Sequence, residues 1–302
     1  MGSTDRVRKK TEQRARRKAS AFVIAIGGIS GAGKSVVVEK VAGMLGEAAT
    51  FNYDHYPNEI PPDPYRWLKE GMDLNLIKTP QFAADLHALK HGEAVRPANG
   101  GPAVHPAPFI TVEEPFARAR EEVSGLIDLA VYIDVPFEIA LARKWLREFS
   151  ARAESLEERG EFSYESFAGF IYEEMFLYLL TRRDEYVSWH YQALKNCDLV
   201  LDGMKSVDAL AEEVVEAARR ESGVAVRGTD RRQRIALTAD SSVGDILKSR
   251  PDAREVFARN AGIPVGESEL AMATHMTLRQ VAGFLGFGRD VTDALLNELN
   301  ED

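Results

Sequence analysis

The sequence predicts an α/β fold: a parallel sheet covered by helices on both faces, followed by a small all-helical unit. Two observations carry this. Five short apolar runs, at 21–27, 49–53, 109–113, 129–135 and 198–201, alternate with helical stretches. The first run passes through a glycine-rich octet straight into a helix, the strand–loop–helix order of a phosphate-binding unit.

The octet is Gly28, Ile29, Ser30, Gly31, Ala32, Gly33, Lys34 and Ser35, which fits G-x-x-x-x-G-K-[ST]. Its glycines let the backbone curl so that successive N–H groups point at phosphate oxygens. The helix that follows, with Val37, Val38, Val41 and Leu45 on one side, brings a partial positive charge to the same place. Lys34 is expected to reach the β- and γ-phosphates, and the Ser35 hydroxyl to ligate Mg²⁺. A nucleoside triphosphate, ATP or GTP, is the implied ligand.

Between the second and third strands lies a long insertion, 57–108. It holds Pro61-Pro62-Asp63-Pro64, a helix over 81–90 and a Gly/Pro-rich loop at 97–102. A charged helical region, about 137–195, separates the fourth and fifth strands and suits a lid over a nucleotide. Its pieces are read as 137–149, 151–160 and 163–194. The expected domains are a basic arm at 1–19, a nucleotide-binding domain at 20–222, a linker at 223–236 and a helical domain at 237–302. In the last, Pro251 suits a first helical turn, and Thr277-Leu278-Arg279-Gln280 is a capping-box pattern. Leu278, Val281, Ala282 and Leu285 follow at helical spacing, with Gly286 as a stop. Val291, Leu295, Leu296 and Leu299 would close the bundle.

Composition narrows the class. Apolar residues make up 45% of the 302 and charged residues 28%, the balance of a globular chain. No apolar run reaches membrane-spanning length, and no signal-peptide core is read at the N-terminus. Cys197 is the only cysteine, which excludes an internal disulfide and a Cys-based zinc site. A cytoplasmic location is expected. The net charge is −9, yet the first twenty residues carry eight basic side chains against Asp5 and Glu12, leaving about −15 for the remainder. The acidic body argues against nucleic acid as a partner, and the basic arm is read first as a solvated tail.

Three features point to phosphoryl transfer rather than mere nucleotide binding. Asp54 ends the second strand, where ligands gather in doubly wound sheets, and can accept a proton from an attacking hydroxyl. Tyr53, His55 and Tyr56 flank it as candidate walls of an acceptor pocket. Glu113 and Glu114 end the third strand, and either can hold Mg²⁺ or its waters; Glu113 is nearer the strand. Arg143 and Arg147 share one face of the lid helix and can offset charge developing during transfer. The alternatives are a turn starter at Asp54, solvated glutamates before Pro115, and a solvated arginine face. Neither N-K-x-D nor L-S-G-G-Q occurs, which removes the usual signals of GTPases and transporter ATPases.

Over roughly 20–220 the chain resembles the uridine kinase / phosphoribulokinase branch of P-loop kinases, with pantothenate kinase as a cousin. The phosphate loop at 28–35, Tyr53-Asp54-His55-Tyr56, the segment 89–97, Val112-Glu113-Glu114, the run from Tyr132-Ile133-Asp134-Val135-Pro136 to Arg143 and Arg147, and 197–201 carry the likeness. It implies a five-stranded parallel sheet of order 2-3-1-4-5, a catalytic role for Asp54 and an aromatic in the acceptor pocket. The pattern departs at the acceptor. Gln81 stands where the family's sugar-binding Asp is expected, Asp73 offers a replacement carboxylate, and His105 is the nearest match to a family His. The C-terminal unit resembles a small prokaryotic helical module that often carries a Cys pair; the matching stretch, Gly262-Ile263-Pro264-Val265-Gly266, has none.

The expected function is ATP- and Mg²⁺-dependent transfer of the γ-phosphoryl group to a hydroxyl of a small metabolite: a nucleoside, sugar or related alcohol. The expected catalytic set is Asp54, Lys34, Arg143 and Arg147. A non-catalytic nucleotide sensor signalling through the C-terminal unit is the alternative. A nucleic-acid-dependent ATPase led by the basic arm comes third. Homo-oligomer formation stays open.

Overall fold

The computed structural model describes residues 20–223, 237–239, 241, 243–250, 252–261, 276–284 and 288–300. The basic arm, most of the linker, Pro251, 262–266, Leu285 and Gly286 lie outside them.

Strands β1 (Phe22–Gly27), β2 (Ala48–Asn52), β3 (Phe109–Glu113), β4 (Leu129–Asp134) and β5 (Leu199–Asp202) form one sheet in the order β2-β3-β1-β4-β5. Every pairing is parallel, as the implied order requires. β1 is central, and its last five residues are buried, as in a strand covered on both faces.

Side-chain alternation sorts the two layers. Ile24, Ile26, Val131 and Ile133 pack with Val37, Val38, Val41 and Leu45 of α1 (Lys34–Leu45) and Leu210, Ala211, Val214 and Val215 of α8 (Val207–Ser222). Lys40 pairs with Asp208 across these two helices. Val23, Ala25, Ile110, Val112 and Tyr132 face the other way. There they meet Trp67 of α2 (Pro64–Lys69), Phe82, Leu86 and Leu89 of α3 (Pro80–Lys90) and Ala193 of α7 (Arg183–Lys195). The long insertion is therefore part of the core on this face. A short α4 (Glu121–Ser124) precedes β4.

The lid is more continuous than the sequence predicts. α5 (Phe137–Glu158) runs unbroken through both expected pieces. α6 (Tyr164–Leu177) joins α7 through a π-helical turn, Tyr178–Arg182, that periodicity alone does not reveal. Lys144 of α5 pairs with Glu148 and lies 3.7 Å from Glu174 of α6, which also accepts from Arg182 at 2.5 Å. These ion pairs staple α5 to the rod at the π turn. Trp145 meets Tyr178 edge-on, and Phe149 meets Phe170, continuing the seam outward.

The C-terminal helices α9 (Val243–Ser249), α10 (Ala253–Ala261), α11 (Leu278–Phe284) and α12 (Arg289–Asn300) bury their own cluster, with Ile246, Val256, Phe257, Leu278, Leu295 and Leu299. α11 starts directly after Thr277 and touches α5. No helix among the described residues is long and apolar enough to cross a membrane.

Candidate active site

The glycine octet turns sharply between β1 and α1. Gly31 has φ +88°, and a Cβ there would sit 2.0 Å from the carbonyl oxygen of Ala140. The first turn of the lid helix thus presses on the loop, and only glycine fits both the backbone and the space. Gly33, φ +92°, starts α1 with no side-chain cap. Among the described residues no acceptor meets the N–H groups of Gly33, Lys34, Ser35 or Val36. That row of free donors at an uncapped helix start is what a polyphosphate needs. Ser35 is exposed beside it. Ser30 lies beside the Tyr186 hydroxyl of α7, so the loop sits against the lid rod.

Lys34 curls back over the loop. Its Nζ donates to the Ile29 carbonyl at 3.4 Å and lies 3.8 Å from Glu113 Oε1. Desolvation pulls its pKa down; Glu113 and Asp54 pull it up, and Arg147 adds to the fall. The net shift is downward, so the buried ammonium is short of negative charge, which a bound phosphate would supply.

The end of β3 separates the two candidate glutamates. Adjacent residues in a strand point to opposite faces. Glu113 stands in register with Ile26 of β1 and Asn52 of β2, and faces Lys34. Its Oε2 accepts from Asn52 Nδ2 at 3.1 Å, while Asn52 Oδ1 accepts from the Asp54 N–H at 2.8 Å. Asp54 itself sits exposed in a 3₁₀ turn, Tyr53–His55, at the carboxyl end of β2. One asparagine side chain therefore links the carboxylate beside the phosphate loop to the turn that carries the candidate base. Glu114 corrects the expectation of a metal ligand. It is fully buried and bonded to Arg120 at 2.6 Å. Desolvation opposes the Arg120 charge, but the Glu114 carboxylate outweighs it and holds the guanidinium above its usual range.

On the lid, Arg147 is exposed, with Glu148 3.8 Å away. Arg143 is half-buried, and among the described residues no carboxylate pairs with it. Burial alone pulls its pKa down. A desolvated, unpaired guanidinium on a lid is a place for an anion.

No family model matches the chain. The uridine kinase of Borrelia garinii subsp. bavariensis is 30% identical over 152 residues, covering 45% of this chain and 72% of that protein. The chain belongs to the uridine kinase family. The uridine kinase of Halobacterium salinarum is 26% identical over 164 residues, covering 67% of its length. The solved structure of a possible uridine kinase from Bacillus stearothermophilus aligns with TM-score 0.30 and 16% identity, over 49% of this chain and 96% of that one. This uridine kinase relative is a small-molecule kinase of the P-loop type, with the nucleotide and Mg²⁺ use that this implies. The residues present fit the ion: the exposed Ser35 hydroxyl and the inward Glu113 match Mg²⁺ bound through few protein ligands plus phosphates.

The expected acceptor residues of this kinase do not gather in one pocket. Tyr53 and Tyr56 are core residues, corrected from pocket walls. Tyr53 packs edge-on against Phe82 and Phe116 with Arg120 over its ring, and burial pushes its pKa up to about 12. The Tyr56 hydroxyl donates to Asp85 at 2.8 Å, and Gln81 Nε2 donates to the other oxygen of the same carboxylate at 2.7 Å. Gln81 is thus spoken for by Asp85, a residue the sequence analysis missed. Asp73 caps the 3₁₀ turn Leu74–Leu76, accepting from Asn75 N–H at 3.0 Å. His55 is exposed next to Asp54, and its carbonyl accepts from Asn99 N–H. His105 is displaced altogether: it lines a shallow recess with Gly46–Thr50, at the amino end of β2, opposite the phosphate loop. Asn52, Asp85, Arg120 and Tyr186 carry no motif; only strand register or tertiary packing reveals them.

Proposed function

We propose that this protein transfers the γ-phosphoryl group of ATP to a hydroxyl of a small metabolite. The convergence of Lys34, Glu113 and Asp54, with Arg147 close enough to act on the Lys34 charge, is the observation that carries the reading. The free N–H groups from Gly33 to Val36 and Lys34 would hold the triphosphate. Ser35 and Glu113 would hold Mg²⁺, which when bound neutralises charge on the β- and γ-oxygens. Asp54 would take the proton of the acceptor hydroxyl as its oxygen attacks. Arg143 and Arg147 would close from the lid, exclude water and balance charge on the moving phosphoryl group.

The named relatives act on uridine. Here the amide at Gln81 is engaged by Asp85, so we propose a nucleoside, sugar or related alcohol gripped by a different set of groups than the family's usual carboxylate. ADP release measured over a nucleoside and sugar panel tests this. Acceptor-dependent ADP production that vanishes in Asp54→Asn, with nucleotide binding retained, is expected; unchanged turnover in that variant would refute the assignment. The contact of α11 with α5 favours one second reading, a nucleotide sensor whose lid reports to the C-terminal unit. Nucleotide binding with no active acceptor would select it.

A further inference from the structure

α6 is an apolar helix with no fully buried residue. Its inner side meets α5 through Phe170, which contacts Phe149 and Arg152. Its outer side, continued by Leu179 of the π-helical turn, is open: Tyr164 is 87% exposed, Tyr172 72% and Leu179 77%, with Met175 and Phe176 exposed between them. Scattered exposed apolar residues need no explanation, but a contiguous stripe on one helix does.

The stripe has a definite spacing. Glu165, Ala168, Tyr172, Met175 and Leu179 follow at steps of three and four, the seven-residue repeat of a helix that packs along another helix. Gly169 sits on this face in mid-helix, where glycine costs about 1 kcal/mol relative to alanine. A Cβ at Gly169 would meet nothing within 4 Å, so nothing among the described residues asks for glycine there. A helix arriving from outside does.

We propose that this stripe is a dimer interface, occupied by the α6 of a second copy of the chain lying antiparallel about a two-fold axis at Tyr172. The stripe is self-complementary only in that direction. Its first half is small, Ala168 and Gly169; its second half is large, Met175 and Phe176. The two-fold sets Phe176 over Ala168 and Met175 over Gly169 of the second copy, twice. It also brings Arg183, exposed past one end, towards Glu161, exposed before the other and held within its own chain by Arg159. Aromatic side chains each bring roughly 150–250 Å². At the observed exposures the stripe offers on the order of 700 Å² per copy, and a facing pair reaches the range of about 1,200–2,000 Å² that stable interfaces bury. Tyr172 and Phe176, already stacked at 6.3 Å, enter the interface ordered.

Light scattering on the full chain tests this. A species of twice 33.5 kDa that dissociates on dilution is expected. Tyr172→Glu should give a folded monomer whose melting temperature equals that of the wild-type chain diluted until it dissociates, since its side chain contributes no core within one copy. Tyr172→Cys in a Cys197→Ser background should form an intermolecular disulfide under mild oxidation, because the two-fold places position 172 against itself. A chain monomeric at every concentration, a dimer that survives Tyr172→Glu, or no crosslink at position 172 would overturn the proposal. So would a monomer in which hydrogen exchange at 164–180 slows on adding an ATP analogue, which would show the stripe closing on its own body.

Discussion

Asn52 and Glu113 stand opposite each other on β2 and β3, and the Asn52 amide donates to Glu113 Oε2 while its oxygen holds the Asp54 N–H. One side chain therefore bridges the carboxylate that faces Lys34 and the turn that carries Asp54. Asn52→Ala should lower kcat by roughly ten- to a hundredfold, the cost of an ångström-scale misplacement. The KM for ATP should change little, because Lys34 and the loop donors remain. Steady-state kinetics with varied ATP checks the split.

The two loop glycines should respond differently to alanine. At Gly33 a Cβ meets nothing within 4 Å, so Gly33→Ala pays only for its left-handed backbone, about 1–2 kcal/mol. At Gly31 the Cβ also collides with the backbone of Ala140, which no side-chain rotation can relieve. Gly31→Ala should destabilise the protein more and weaken nucleotide binding more. Thermal melts and calorimetric titration of the two variants rank them.

Arg143 is poised at a cost. Its guanidinium is half-buried and unpaired among the described residues, so removing it breaks no ion pair. Arg143→Ala should leave the melting temperature unchanged or slightly raised while lowering kcat by about a hundredfold or more. A fall in stability matching the fall in activity would refute this.

His190 supplies a pH dependence. It is buried between Tyr132, whose hydroxyl lies 3.1 Å from its Nδ1, and Phe137, with Asp134 3.9 Å from Nε2. Burial pushes its pKa below 6.5, and Asp134 recovers only part of the shift. The unfolded chain therefore takes up the His190 proton before the folded one does. Its contribution is present above about 6.5 and is lost as pH falls from there through the lowered folded value. His190→Gln should flatten the drop in melting temperature on acidification over that window. An identical pH profile in the variant would count against the assignment.

Much of the fold is legible residue by residue. β3 begins and ends where its apolar run does, and α1 presents the four residues that spacing nominates. The lid differs because helix ends depend on what packs nearby. α5 continues through Phe149 and Ser150 as its flank meets Phe170 and Glu174 of α6. The residues beside Asp54 take their roles from packing. Tyr53 and Tyr56 look like pocket walls because they flank Asp54, yet aromatic rings beside a strand end also suit a core, and Phe51, Phe82 and Phe116 claim them.

The sequence by itself determined the glycine-rich turn between β1 and α1, the five strands and the helical run that carries Arg143 and Arg147, because glycine conformations, apolar runs and helical spacing act over a few neighbouring residues. Only the tertiary structure turned Glu113 towards Lys34 and Glu114 towards Arg120, brought Asn52 to Glu113 and Asp85 to Gln81, and placed His105 at the far end of the sheet. Those outcomes depend on the parallel register of β2 against β3, strands separated by the whole insertion. No local pattern encodes which way a side chain faces once that register is chosen.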